Sequence, residues 1–284
     1  MREKFTIIIL TYNEEANLPA CLDSLKDIDA SLFAVDSYSE DKTLDILQDY
    51  NVIVKQHAFE NYSRQRNWAQ QNNPFKTEWV FHLDAGERLT PELVHWLNTV
   101  FPINKNDIDG YMFSRRTIFF GKWIRYGGHY PNYHLRLYKT EKGKCEDKVY
   151  DQHFVVHGET EIIKSGIDII DTVTDSIQSF TLGHTRWAAF EAQEMFLSSV
   201  KKGDVQPKFF GSPIERRRWL KNNVFQKTPP FTRSFLYFFY RYFIKLGFLD
   251  GRMGLVFHLL QGFWFRFLID AMIAELKIKA KINR

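Results

Sequence analysis

Between Phe5 and Val100 the chain switches its hydrophobic period repeatedly, and this alternation limits the possible folds more than any other feature. Residues 5–10, 32–35, 52–54 and 79–83 are short apolar runs rich in β-formers. Residues 15–25, 42–50, 63–71 and 91–100 carry apolar side chains at helical spacing, with Pro91 opening the last helix and Thr90 as its N-cap. Strands that alternate with helices make βαβ units, so the expected class is α/β, a mostly parallel sheet flanked by helices. Such sheets bind ligands beyond the carboxyl ends of their strands. Thr11-Tyr12-Asn13-Glu14 closes the first strand, Asp36 to Asp41 the second, and Asp84 the fourth, followed by Ala85-Gly86-Glu87. Each acidic tip alone reads as an ordinary turn. Three at one edge of a sheet mark a site. The chain contains neither G-x-G-x-x-G nor a Walker sequence, so a nucleotide held there needs another device.

A length of 284 residues fits one large α/β domain, or a domain of about 200 residues with an appendage. Two cysteines, Cys21 and Cys145, are too few for a disulfide scaffold and read as free thiols in a reducing compartment. The apolar stretch near the start is too short for a signal peptide and reads as a buried first strand. No run of about 20 uncharged apolar residues occurs, so a spanning helix is not expected. Beyond residue 109 strands are expected at 111–115, 135–138 and 153–156, within a second, mixed part of the same domain. A helix follows at about 187–201.

Charge is divided unevenly. Residues 208–284 carry 15 basic and 4 acidic side chains, residues 1–207 carry 23 and 30. From 231 to 246 the apolar residues Phe231, Phe235, Phe238, Phe239, Tyr242, Phe243 and Leu246 fall on one helical arc, with Arg233, Arg241 and Lys245 opposite. Pro229-Pro230 should break the chain before this helix, and Gly247 with Gly251 should end it. The next apolar segment, 253–268, is interrupted by His258, Gln261 and Arg266. It is either packed on its neighbour or dipped shallowly into lipid. The expected division is therefore residues 1–228, the α/β domain, and 229–284, amphipathic helices for an anionic membrane surface. Packing on the α/β domain or a dimer interface is the alternative. A two-faced helix is not a basic groove with spaced stacking rings, so nucleic acid is not an expected partner.

Several segments together resemble the family 2 inverting glycosyltransferases of the GT-A fold, and within them the branch that extends lipopolysaccharide core and related surface glycans. The segments are TIIILTYNEEANLPACLDSL, VDSYSEDKT, SRQRNWA, LDAGERL, GKWIRYGGHYPNYHLRLYK and KLGFLDGRMG, in that order. The resemblance implies a nucleotide-sugar donor, a UDP-hexose by analogy, and a lipid-anchored saccharide acceptor, at the cytoplasmic face of the membrane. It implies that Asp36 accepts from a uracil N3–H, that Thr11, Asn13 and Glu14 line base and ribose, and that Arg66, Asn67 and Arg136 serve the base or diphosphate. Asp84 would hold a divalent cation, Mn or Mg, against the leaving diphosphate. The family's D-x-D has its second acid where this chain has Gly86, so Glu87 and His184 become substitute ligands, and Gly86 is expected to let the backbone approach the diphosphate. The general base is expected at Asp151 or Asp147, with Tyr150 where the family shows His. Glu146, between lysines, reads as solvated. Two other readings stay open: a sugar nucleotidyltransferase, and a non-catalytic membrane scaffold that has lost its second metal acid.

Overall fold

A computed structural model describes residues 5–103, 107–148, 151–174, 176–197 and 204–282. The chain divides into two compact units. Residues 1–115, 132–147 and 152–171 form the first, and residues 116–131, 148–151 and 172–284 the second.

The first unit opens with the alternation read from the sequence: β1 (Phe5–Thr11), α1 (Leu18–Asp23), β2 (Ser31–Asp36), α2 (Thr43–Asp49), β3 (Ile53–Gln56), α3 (Tyr62–Gln71) and β4 (Trp79–Asp84). Then come β5 (Glu87–Leu89), α4 (Pro91–Thr99), β6 (Ile108–Phe119), β7 (Lys122–Ile124), β8 (Tyr133–Lys139), β9 (Gly143–Cys145), β10 (Phe154–Val156), β11 (Glu159–Ile162) and β12 (Asp168–Thr174). β7 belongs to the second unit, as do the far ends of β6 and β12. The strand order is β3-β2-β1-β4-β8-β6-β12-β5. β3, β2, β1 and β4 are parallel, whereas β8 is antiparallel to β4 and to β6, so the second half of the sheet is mixed.

β1 is central to the parallel half. Its residues Phe5, Ile7, Ile8 and Ile9 are all buried, as a strand covered on both faces requires. Ile7 and Ile9 join Leu18, Cys21 and Leu22 of α1 and Leu93 and Leu97 of α4 in the main core. Each such aliphatic side chain contributes roughly 1.5–3 kcal/mol on burial. Thr90 caps α4, its side chain accepting from the Leu93 N–H. Both cysteines are buried free thiols.

In the second unit α5 spans Ile177–Phe196, beginning ten residues before the expected helix because Ser176 caps it through the Ser179 N–H. α6 (Pro213–Leu220) opens on a capping box between Ser212 and Glu215 and runs on into a π turn, Lys221–Phe225. α7 (Thr232–Phe239) continues through the π turn Tyr240–Ile244. After a 3₁₀ turn at Gly247–Asp250 come α8 (Gly251–Phe257), a π segment His258–Trp264 and α9 (Phe265–Ile282). α9 lies on α5, with Phe265 and Ile269 against Ala188 and Ala192.

Two expectations for the tail are corrected. Arg233 does not lie on a solvated basic face. It is buried with Asp270 in a hydrogen-bonded ion pair, whose carboxylate also accepts from the Phe231 N–H. A spanning helix was not expected, yet Gly247–Ile282 is one helical stretch long and apolar enough, by length and composition alone, to cross a membrane.

Candidate functional site

The tips of β1, β2 and β4 meet at one edge of the first unit. Thr11 pairs with Asp36 and Leu10 with Asp84 in the parallel registers, which puts the two aspartates one strand apart. Two strand spacings separate their Cα atoms by about 10 Å. Their register positions differ by one residue, so strand alternation sends the two side chains to opposite faces of the sheet.

The turn after β4 carries the charge. Asp84 N–H donates to Glu87 Oε2 at 3.0 Å, folding the second acid back beneath the first. Arg136, from β8, enters between them. Its Nη2 donates to Glu87 Oε1 at 2.5 Å and to Asp84 Oδ2 at 3.3 Å, and its Nη1 to the His82 carbonyl at 3.3 Å. Arg66, from α3, donates to the other Asp84 oxygen at 2.9 Å. Arg115 bridges Glu87 at 3.7 Å and Asp171 at 3.4 Å. Glu87 and Arg136 are buried, but the Asp84 side chain keeps 41% of its surface.

These contacts push the two acids apart. Burial raises the Asp84 carboxyl, but the Arg66 and Arg136 charges outweigh it and hold Asp84 well below the usual carboxylate range. Burial raises Glu87 most; Arg136 pulls it back, the Asp84 charge adds to the rise, and Glu87 ends near about 7. Burial, then Arg66 and Arg136, keep His82 neutral by lowering its pKa far below the ordinary value. Burial raises both thiols, Cys21 and Cys145, so neither is a ready nucleophile.

The β1–β2 edge is organised differently. Asp36 is enclosed, and its carboxylate accepts from Thr11 Oγ1, Ser39 N–H, Ser39 Oγ and Gln56 Nε2. Those four bonds fill a carboxylate's acceptor positions. A contact from Asp36 to a base therefore requires a donor to leave, and the exposed Gln56 amide at 3.1 Å is the one able to do so. Asn13 ties the two tip loops together, its N–H on Ser39 Oγ and its Oδ1 accepting from Glu40 N–H. Glu14 is partly buried and accepts from Asn17; burial raises its pKa, with Asp84 adding to the rise. Asn13 and Tyr38 adopt left-handed φ of 53° and 62°, and the rings of Tyr12 and Tyr38 stand more than half exposed.

Asn67 uses its amide on the backbone of Cys145, both donating to its carbonyl and accepting its N–H. It also lines a shallow cleft of about 360 Å³ with His57, Glu60, Ser63, Arg64 and Asp147. Asp147 is exposed there. Glu146 is not solvated: it is fully buried and accepts from the His153 N–H. Asp151 belongs to the second unit, with φ 54° and Oδ2 at 3.0 Å from Lys221 Nζ. Tyr150 lies outside the described residues.

His184, also in the second unit, sits inside α5. Its Nδ1 is 2.9 Å from the Phe180 carbonyl and its Nε2 2.6 Å from the Gln261 side-chain amide. Ligation through Nε2 means breaking that bond.

The structure thus brings Arg66, Asp84, Glu87 and Arg136 together, and gathers Thr11, Asn13, Glu14 and Asp36 at the neighbouring tips. It shows Arg115, Asp171, Gln56, Tyr12 and Tyr38 as further members that residue patterns did not single out. Tyr12 was legible in principle, as an aromatic directly beyond a buried strand.

A divalent cation held by protein ligands does not fit this donor set. Both Asp84 oxygens face guanidiniums, Glu87 is closed off by Arg136, and position 86 offers no donor. No group of three or more His, Cys, Asp or Glu able to hold a metal exists among the described residues. The two guanidiniums held on Asp84 would repel a dication placed on the same carboxylate. Gly86 has no left-handed φ, and a Cβ built there meets nothing within 4 Å, so the backbone does not demand glycine.

A parallel α/β half-sheet, an antiparallel second half and charged strand tips on the parallel side define a GT-A-like fold. Residues 6–159 match the model of glycosyl transferase family 2, more than half of the chain, and the protein belongs to that family. An uncharacterized glycosyltransferase of Rickettsia bellii is 29% identical over 107 residues, 38% of this chain and 36% of that protein. The glycosyltransferase SunS of Bacillus subtilis is 33% identical over 87 residues, 30% of this chain and 20% of its own length. The chain spans about a third or less of the length of these curated relatives. Among solved structures, the mannosyltransferase PcManGT of Pyrobaculum calidifontis, in complex with GDP-Man and Mn2+, aligns with TM-score 0.52 at 14% identity. That alignment covers 99% of this chain and 87% of the other. It shows the fold alone.

Proposed function

We propose that the protein transfers a sugar, with inversion, from a nucleoside-diphosphate sugar to a lipid-linked saccharide at a membrane surface. Family membership supports transfer of a sugar. The observation that carries the donor reading is the ion-paired cluster at the end of β4, where Arg66, backed by the buried Arg136, holds its guanidinium beside the half-exposed Asp84. Guanidinium groups match phosphate oxygens in pairs and keep their charge at any working pH. The exposed Tyr12 and Tyr38 rings and the Gln56 amide offer a stacking face and a polar edge for a base, and the resemblance favours uracil.

In the transfer the anomeric C–O bond to the β-phosphate breaks and its electron pair stays on the phosphate oxygen. The acceptor oxygen bonds to the anomeric carbon from the opposite face, and its proton passes to a carboxylate. Asp147 is exposed beside α3, whereas Asp151 must give up its ion pair with Lys221 to take a proton. Asp147 is the more exposed of the two and is our first choice as base. The donor set does not fit the divalent cation implied by the resemblance, and no step above runs through one.

Membrane association rests on the tail. Phe235, Leu236, Phe239, Phe243, Ile244 and Leu246 are all exposed, as is Lys245, and a contiguous apolar face of this kind fits a lipid interface at the cytoplasmic side. Incubating the protein with a panel of UDP- and GDP-sugars and following free nucleotide tests the donor reading. Slow hydrolysis of at least one UDP-sugar is expected. Complete inertness towards the whole panel, with the fold intact, would contradict it.

A further inference from the structure

We infer that this chain manages the departing diphosphate without a divalent cation: its carboxylates hold guanidiniums in place, and Arg66 supplies the positive charge. The inference rests on the donor reading above and goes beyond it.

Three carboxylates, Asp84, Glu87 and Asp171, are matched by three guanidiniums, Arg66, Arg115 and Arg136. A site built to hold a dication leaves its carboxylates in excess, because the ion supplies the balance. Here guanidiniums already occupy both Asp84 oxygens and Glu87 Oε1 before any ligand arrives. The three arginines differ in depth. Arg136 is enclosed with Glu87 and acts as a positioning residue, which fixes Asp84 from behind. Arg115 does the same between Glu87 and Asp171. Arg66 keeps 13% of its side-chain surface, less than the 28% of Arg115, and is set apart by its carboxylate partner, the half-exposed Asp84. Its guanidinium carbon lies 5.2 Å from the Phe154 ring centre and 5.7 Å from that of Tyr62, and Asp84 orients it on a third side. A guanidinium has five N–H donors in a rigid fork, so one can stay on Asp84 while others turn to a phosphate.

Gly86 is the second, independent observation. A second carboxylate at this position would complete a D-x-D pair with Asp84, and a Cβ there would meet nothing within 4 Å. A Cβ is tolerated at this position, but no carboxylate stands there. The arginine cluster and the missing acid point the same way. When the anomeric C–O bond breaks, charge grows on the β-phosphate oxygen, and Arg66 N–H groups are placed to receive it as an electrostatic clamp.

Calorimetric titration of UDP, repeated with GDP, into the full chain tests this, once in EDTA and once in Mn2+. For wild type the two dissociation constants should agree within about twofold. Arg66→Met should weaken binding by about tenfold or more in both buffers, the loss of one or two charge-assisted hydrogen bonds. Arg66→Lys, which keeps the charge but not the fork, should recover part of that loss and guards against misfolding of the Met variant. Gly86→Asp should make binding respond to Mn2+ by several-fold or more, since it restores a second ligand. Wild-type binding that collapses tenfold in EDTA, or Gly86→Asp binding that ignores Mn2+, overturns the inference while leaving the donor reading standing. Failure of both nucleotides to bind in either buffer overturns the donor reading itself.

Discussion

Replacing Arg136 by Met removes the cation between Glu87 and Asp84 while keeping an unbranched, apolar stem of similar reach. In the structure Arg136 donates to Glu87, to Asp84 and to the His82 carbonyl, and it is 4% exposed against 1% for Glu87. Without it, Glu87 retains the Asp84 N–H and a distant Arg115 at 3.7 Å. Breaking a buried ion pair from one side costs about 3–5 kcal/mol, because the remaining charge is stranded. Glu87 can escape by taking a proton, and its pKa, already near about 7, rises further once Arg136 no longer pulls it down. The penalty should therefore be largest at pH 8–9, about 3–5 kcal/mol, and shrink towards pH 6. Urea denaturation of Arg136→Met, Glu87→Gln and the double variant at both pH values measures it. The double variant should recover about 2 kcal/mol or more at high pH relative to the sum of the singles. A penalty under about 1 kcal/mol at pH 8, or one equal at both pH values, refutes the assignment of Arg136 as the cation that neutralises Glu87.

Wild type itself should lose stability relative to Glu87→Gln as pH rises from about 4.5 through 7, because the folded state holds the proton more tightly than the unfolded chain. Urea midpoints across that range read the loss, and a flat difference would contradict the raised pKa. Asp147→Asn should lower sugar transfer by about 10²-fold or more with little change in donor affinity, whereas Asp151→Asn should act mainly on stability through Lys221; the reverse pattern makes Asp151 the base. Phe239→Asp with Phe243→Asp should weaken binding to anionic vesicles by more than about tenfold without altering the melting curve, since both rings are exposed. Unchanged vesicle binding would remove the tail from the account.

How much was legible in the sequence follows from the range of the interactions. β1 through α4 could be read because each element declares its own period within a few residues, and Thr90-Pro91 marks a helix start locally. The three strand-tip clusters were found the same way, since a parallel sheet sends its carboxyl ends to one edge. What joins Arg136 to Glu87 is a contact across 49 residues, and what joins Arg233 to Asp270 spans 37. No local period carries such pairings, so Arg233 read as a solvated base and Glu87 as a free ligand. Glu146 misled for a related reason: lysines on both sides suggest solvent, but the hairpin of β9 and β10 turns its carboxylate inward onto the His153 N–H. The start of α5 was missed because Thr181 and Gly183 dilute the helical signal, while the Ser176 cap that begins it carries no apolar cue.

The most direct test of the central claim is the structure of the complex with UDP. The diphosphate should lie within hydrogen-bonding distance of the Arg66 guanidinium beside Asp84, and the base at the edge formed by Tyr12, Tyr38 and Gln56. Density for UDP elsewhere on the molecule, or at this edge but with Arg66 turned away from the phosphates, would contradict it.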